Sequence, residues 1–233
     1  MILHHHKLHT ILMTYKLNEG DDWVVYRSPA VEHESAEMVA QIGRAYRHFK
    51  NTFTGLDSSL RQDGLTVGAL PALFDVEDQY KKDIQHLKDE GDFSGYRFYN
   101  LFSLTAPSPL FWLLLRDIRN CVRETINTDE PLWIQCWMNL HKPDEVLGWH
   151  DHHFPYHGYV SIDPKDSTTE FKEGDLRYEI KNEVGNIYFG PGWNRMHRVR
   201  VDSPYQGERI TLGFDIETQP DLPDDQFSLI PLL

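Results

Sequence analysis

The chain has 233 residues, of which 40% are apolar and 25% are charged, so it is not a wholly disordered protein and suits one globular domain. Its 36 acidic and 23 basic residues give a formal net charge of −13, which disfavours general binding to nucleic acid or to anionic membranes. No apolar run approaches the ~18 residues that a membrane span requires. Met1–Leu12 lacks a sustained apolar segment, so we expect no secretory signal and a cytoplasmic location.

The first half of the chain favours helices. Ser108 precedes Pro109, a pair that suits an N-cap and the first helical position. The predicted elements are strand-like stretches within Ile11–Tyr26, a helix over Glu32–Lys50, a loop over Thr52–Pro71, a helix over Val76–Lys88 and a helix over Pro109–Thr125.

The second half favours short strands separated by turn residues. The first of them, Trp133–Leu140, has one mixed polar and aromatic face and one apolar face. The others are Tyr156–Asp163, Leu176–Ile180, Asn186–Phe189, Arg198–Val201 and Ile210–Ile216. We therefore predict a mainly β protein with some α structure, in which helices pack on one face of a jelly-roll or cupin-like core.

We expect a single domain over 1–233. Residues 1–130 form its helical part, 131–218 its β core and 219–233 an extended tail rich in Pro and Asp. No Gly/Ser-rich linker divides the two halves, which favours one integrated unit over two separate domains.

Histidine usage is the most unusual feature of the composition. The chain has 13 histidines, and five of them lie within seventeen residues: His141, His150, His152, His153 and His157. In extended backbone His150 and His152 point to one face, whereas Asp151 points to the other unless the strand breaks there. His197 follows 47 residues after His150, and Arg209 twelve residues after His197.

These residue types suit a transition-metal site in a barrel. Imidazole binds Fe, Zn, Cu and Ni. Two ligands at one strand end and a third on a distant strand can occupy one side of an octahedral ion and leave three positions open. Two of those can take a 2-oxo acid and one can take O2. An arginine on a neighbouring strand can then pair with the far carboxylate of that acid.

The order of these residues resembles the Fe(II)/2-oxoglutarate-dependent oxygenases over roughly Trp133–Ile216, more than a third of the chain. The matching segments are Trp137-Met138-Asn139, Trp149-His150-Asp151-His152, Gly158-Tyr159-Val160-Ser161, Val184-Gly185-Asn186-Ile187-Tyr188-Phe189, His197-Arg198-Val199 and Arg209-Ile210-Thr211. The resemblance implies a double-stranded β-helix fold, Fe(II), 2-oxoglutarate as co-substrate, O2 and hydroxylation of a substrate. It also implies that Arg209 and Thr211 hold the far carboxylate of 2-oxoglutarate.

Further contacts to the oxo acid are expected from polar side chains on neighbouring strands. The candidates are Asn139, Tyr159 and Ser161.

The sequence departs from the family at the second ligand. The usual pattern has Asp two residues after the first His, but that position is His152 here and Asp151 comes one residue early. Three alternatives follow: ligands His150, His152 and His197; ligands His150, Asp151 and His197; or a degenerate site. Spacing along an extended strand favours the first set.

Two other functions remain open at this stage. A three-His cupin-type dioxygenase would use the metal without 2-oxoglutarate, and a non-catalytic jelly-roll module would bind no metal tightly. The substrate is expected to be a small molecule or a peptide, with no nucleic-acid or membrane partner, and the sequence does not indicate an oligomeric state.

The remaining charged residues near the candidate ligands are expected at the surface. We expect His141 at an exposed strand end and His153 in solvent, whereas His157 is expected either in solvent or stacked near the mouth of the pocket. Three arginines form a local basic patch, either solvated or lining an anion-binding rim: Arg195, Arg198 and Arg200.

Overall fold

The computed structural model describes residues 14–63, 99–143, 145, 148–152, 154–218 and 229–233, with side chains to residue 48 in the first range. The helix predicted over Val76–Lys88, His153 and most of the C-terminal tail lie outside these residues.

Three helices are described: α1 over Pro29–Asp63, α2 over Leu101–Leu104 and α3 over Pro109–Ile126. The loop predicted from Thr52 is wrong as far as Asp63, because a helix already nucleated upstream extends through a single Gly at a cost of only about 1 kcal/mol. Ser108 is the N-cap of α3 as predicted, although its hydroxyl makes no capping bond. None of the described helices has the length and apolar character needed to cross a bilayer.

The strands follow the predicted order with two additions, one inside the β core and a two-residue strand in the C-terminal tail. Their bounds are β1 Tyr15–Glu19, β2 Val24–Arg27, β3 Trp133–His141, β4 Tyr156–Asp163, β5 Ser167–Glu173, β6 Leu176–Lys181, β7 Asn186–Pro191, β8 Met196–Val201, β9 Arg209–Glu217 and β10 Ile230–Pro231. Sequence reasoning missed β5, since Phe171 is its single large apolar residue and the hydrophobic alternation is therefore weak.

Two antiparallel sheets form the β core. The larger has the order β1-β2-β7-β4-β9-β3-β10 and the smaller β6-β5-β8, which His150 extends through a bridge to His197. Side chains from both sheets meet in one buried cluster that includes Tyr159 and Tyr188 from the larger sheet and Phe171 and Ile180 from the smaller. This arrangement confirms the predicted double-stranded β-helix, with the helices on one side.

The larger sheet has two chemically different faces. Its outer face packs against the helices and is apolar, with residues such as Ile134, Val160, Ile187, Leu212 and Phe214. Directly opposed residues in adjacent strands share a face, so the strand register defines the inner face facing the smaller sheet. Its polar members are Gln135, Asn139 and His141 on β3, His157, Tyr159 and Ser161 on β4, and Arg209, Thr211 and Asp215 on β9. The fold thus places a polar face inside the barrel.

The apolar outer face tolerates no added volume at Gly158. A Cβ there would lie 2.1 Å from the Phe214 ring and 2.5 Å from the Tyr188 carbonyl oxygen. We expect Gly158→Ala to lower the free energy of unfolding by about 1–3 kcal/mol or more. Gly43→Ala on α1, where the nearest atom lies 3.4 Å away on the flexible Arg47, should raise it by about 0.5–1 kcal/mol. Urea denaturation measures both, and equal stabilities would contradict the packing described.

Candidate metal and co-substrate site

Backbone pairing brings the first and third candidate ligands together. His150 donates its amide to the His197 carbonyl at 3.0 Å, and His197 donates back to His150 at 2.8 Å. The His152 amide lies 3.4 Å from the Gly192 carbonyl, which ties the segment after His150 to the turn before β8. The 47-residue separation in sequence is therefore closed by one β-bridge.

Three imidazoles converge at this bridge. One ring nitrogen from each of His150, His152 and His197 lies within 4.8 Å of the others. The ring centroids are 4.2 Å apart for His150 and His197, 5.5 Å for His150 and His152, and 5.3 Å for His152 and His197. This spacing suits three nitrogen donors around one metal ion.

Hydrogen bonds determine which nitrogen of each ring is free. The Nδ1 of His150 lies 2.8 Å from the Gly148 carbonyl oxygen, and that of His197 lies 3.4 Å from the Arg195 carbonyl oxygen. A carbonyl oxygen only accepts, so each Nδ1 carries the hydrogen and each Nε2 keeps its lone pair. The Nε2 of His152 is buried and has no hydrogen-bond partner among the residues described. These are the tautomers that metal binding through Nε2 requires.

Burial favours the neutral, metal-binding form of these rings. It lowers the pKa of His150, and it lowers the pKa of His197 well below the ordinary value, with the neighbouring His157 adding to the effect.

A buried carboxylate lies directly behind the three histidines. Asp215 is 2% exposed and lies 2.9 Å from the Nδ1 of His152 and 2.9 Å from the Nδ1 of His157. Burial alone would raise the pKa of Asp215, but the two imidazoles outweigh it and the pKa is lowered. Burial also lowers the pKa of His157 to about 4. The carboxylate is thus charged between two imidazoles.

Asp151 is not part of this cluster. Its side chain is exposed and is absent from the groups of metal-ligating side chains that the described residues form. The structure therefore brings together the three-His set and leaves Asp151 in solvent, as expected where the backbone around His150 keeps an extended bridge.

Arg209 occupies the inner face at the start of β9. It is 2% exposed, and its Nη2 lies 3.0 Å from the Nδ1 of His141. Burial lowers the pKa of Arg209, whereas the nearby Tyr205 hydroxyl raises it. No carboxylate in the described part of the chain pairs with Arg209, in contrast to the equally buried Arg195, which contacts Asp22 and Glu173 at 2.6 Å. A buried guanidinium without a counter-ion is suited to an anionic ligand.

The other candidate residues surround this guanidinium on the inner face. Thr211 lies two residues from Arg209 on β9 and pairs with Asn139 on β3 and Ser161 on β4. The Ser161 hydroxyl is buried and bonds to none of the described residues, and Asn139 accepts a bond of 3.1 Å from the Trp137 indole. The Tyr159 hydroxyl lies beside Thr169 but makes no hydrogen bond of good geometry. The structure groups these four residues on one face.

Two expected surface positions are wrong, that of His141 and the solvent alternative for His157. His141 is 6% exposed and His157 is 4% exposed. Both lie on the inner face of the larger sheet, where the strand register of β3 and β4 directs them into the barrel. Alternation from Asn139 would place His141 on this face, but the predicted strand ends at Leu140 and does not include it.

The basic patch is explained by ion pairs. Arg198 and Arg200 contact Glu170, and Arg200 also contacts Asp202. Arg195 contacts Asp22 and Glu173. These cations are neutralised by carboxylates of the same chain, so they do not form an anion-binding rim.

Sequence reasoning did not identify Asp215 as a site residue. It lies six residues after Arg209, and the even separation places both on one face of β9. This parity was the available signal.

Comparisons with known proteins give structural similarity only. No protein-family model matches the chain, and no curated protein matches its sequence. The chain is similar to a 2OG-Fe(II) oxygenase family oxidoreductase from Burkholderia pseudomallei, with 12% identity, 47% of this chain and 58% of that chain covered, and a TM-score of 0.40. The matched part thus spans little more than half of that protein.

Two further solved structures have comparable values. A prolyl-4-hydroxylase from Pseudomonas putida matches with 11% identity, 48% of this chain and 68% of that chain covered, and a TM-score of 0.40. HygX from Streptomyces hygroscopicus with nickel and 2-oxoglutarate bound matches with 16% identity, 50% and 70% covered, and a TM-score of 0.40. The chemistry of this chain has to be inferred from its own residues.

The burial of His141 and its contact with Arg209 make the free energy of unfolding depend on pH. Burial and Arg209 lower the pKa of His141 to about 4, while the unfolded chain has a pKa near ~6.5. Between these values only the unfolded form is protonated at His141, so the free energy of unfolding falls as the pH falls from about 6.5 towards 4.

His141→Gln keeps an acceptor for Arg209 and removes this titration. Its loss of stability between pH 7 and pH 5 should be smaller than that of the wild type by roughly 2 kcal/mol. Urea titrations of the metal-free protein at both pH values measure the difference, with exposed His33→Gln on α1 as the control. If His141→Gln lost as much stability between pH 7 and pH 5 as the wild type does, His141 would not be the group responsible for the pH dependence.

Proposed function

We propose that this chain is an Fe(II)- and 2-oxoglutarate-dependent oxygenase that hydroxylates a small-molecule or peptide substrate. His150, His152 and His197 would hold the iron, and Arg209 with Thr211 would hold the far carboxylate of 2-oxoglutarate. The observation that carries the proposal is the combination of three convergent imidazoles with a buried arginine that no carboxylate of the described residues contacts, all inside one barrel.

The donor set fits a divalent metal ion such as iron. Within the described part of the chain the His152 Nε2 is a buried polar atom without a partner, an arrangement that costs free energy unless a ligand completes it. Bound iron would supply the activation of O2, coupled to oxidative decarboxylation of the 2-oxo acid. The protein would position the metal through the hydrogen bonds on each Nδ1.

The Arg209 end of the barrel supports the choice of co-substrate. A dicarboxylate can pair one carboxylate with the buried guanidinium and offer hydrogen-bond acceptors to the hydroxyls of Thr211 and Ser161. Desolvation on the inner face strengthens this pairing, since the guanidinium is shielded from water. Asn139 and Tyr159 line the same face and would contact the remainder of the molecule.

The two rival functions explain less of this geometry. A three-His dioxygenase without 2-oxoglutarate would not explain why Arg209 is buried with no carboxylate of the described residues beside it. A non-catalytic module gives no reason for three imidazoles with their Nδ1 atoms bonded and an unpartnered Nε2 in the interior.

The co-substrate is tested by anaerobic titration of the Fe(II)-loaded protein with 2-oxoglutarate, followed through the visible charge-transfer band of the chelate. We expect a band in the wild type and an apparent affinity at least ~10-fold weaker in Arg209→Gln, since a buried charge-assisted pair is lost. Arg200→Gln, which removes a surface arginine paired with Glu170 and Asp202, should titrate as the wild type does.

The titration separates the three functions. Equal affinities in the two arginine variants would refute the role of Arg209. Bound iron with no band in the wild type would support the three-His dioxygenase, and absence of iron binding would support the non-catalytic module.

The second ligand is tested by iron content. Because the His152 ring lies in the cluster and Asp151 is in solvent, His152→Ala should lose most of the Fe(II) that the wild type retains after anaerobic loading and desalting. Asp151→Ala should retain it. The reverse result, with iron lost only in Asp151→Ala, would show that the Asp151 alternative is correct.

A further inference from the structure

Asp215 lies outside the proposed ligand set but contacts one of its members, His152. The proposed iron ligands are three neutral imidazoles, which bring no negative charge to a divalent cation. Asp215 is buried behind them, and within the described residues its ion-pair partners are imidazoles, with no Lys or Arg among them. Its charge is therefore directed at the histidine cluster.

The two contacts of Asp215 impose a tautomer on both rings. A charged carboxylate only accepts, so the Nδ1 atoms of His152 and His157 both carry hydrogen. The Nε2 of His152 then keeps its lone pair, and this is the buried nitrogen that lacks a partner. An imidazole that donates to a carboxylate is also a more basic metal ligand.

His157 completes the positioning of His152. Its ring is stacked on that of His152, with centroids 3.6 Å apart and planes 18° apart, and it donates to the same carboxylate. The pair of donors holds Asp215 in place, and the stacked ring limits rotation of His152. Among the described residues, His157 does not form a group of possible metal ligands with both His150 and His197. It therefore lies behind the cluster.

We propose that Asp215 is a positioning residue which holds His152 in its metal-binding tautomer and supplies, through that ring, the negative charge that the three-His set lacks. The proposal rests on the proposed function, because it takes His152 as a ligand. His157 stabilises the carboxylate in this position without binding the metal.

Metal affinity tests the proposal without turnover. Co(II) binding to the full chain is measured by competition with a chelator, and the His197→Ala variant gives the background from His4, His5 and His6. Asp215→Asn should bind Co(II) about 10–100-fold more weakly than the wild type, the usual effect of removing a carboxylate behind a histidine ligand. Asp117→Asn, at another fully buried carboxylate that contacts Ser28 and Arg116, should bind as the wild type does.

A second variant distinguishes positioning from direct ligation. His157→Gln keeps an N–H donor for Asp215 but removes the ring, and it should weaken Co(II) binding less than Asp215→Asn does, because the carboxylate and His152 both remain. A loss as large as that of His152→Ala would mean that the metal lies between His152, His157 and Asp215, the other group that could hold an ion. That result would overturn the proposal.

Histidine tautomers provide a measurement that does not require a variant to fold. In the metal-free wild type labelled with 15N-histidine, we expect His152 and His157 both to carry hydrogen on Nδ1. Hydrogen on the Nε2 of His152 would refute the proposal. Failure of wild-type Co(II) binding would refute the proposed function instead, whereas wild-type binding with equal affinity in Asp215→Asn would refute only the role of Asp215.

Discussion

The alternation of side chains along β9 is the constraint on which the rest of the structure depends. Ile210, Leu212 and Phe214 point outward into the apolar layer beneath the helices, and the intervening residues point into the barrel. Burial of the outer residues fixes the register, because a slip by one residue would expose the whole apolar set. The polar face is therefore held inside by the packing of the apolar one.

The fold was largely predictable because its signals are local. Hydrophobic periodicity located α3, and alternation located β3 and β4 to within one residue. Alternation did not locate β5, which lies between β6 and β8, because its Thr and Glu residues give it no clear apolar pattern. Periodicity also failed for the end of α1, since a helix continues through polar residues once it has formed.

The parts of the candidate site that depend on residue spacing along one strand were predictable. The parts that depend on pairing between distant strands were not. The i, i+2 spacing of His150 and His152 predicted that both side chains point to one side. The order of residues in the family that the sequence resembles indicated His197 and Arg209. Nothing local showed that His157 and Asp215 face each other across β4 and β9, because that contact depends on the register between strands 58 residues apart. Buried electrostatics were thus the part of the site that sequence reasoning missed.

Both ends of β9 carry a buried charge, and the two are kept apart. Six residues of strand separate Arg209 from Asp215, a rise of roughly 20 Å, so neither neutralises the other. Asp215 is compensated by imidazoles, whereas Arg209 has polar neighbours but no carboxylate among the residues described. Two isolated charges of opposite sign in one barrel cost free energy unless ligands complete them. A divalent cation near Asp215 and an anion at Arg209 would satisfy both, which is why the two halves of the proposed function depend on the same strand.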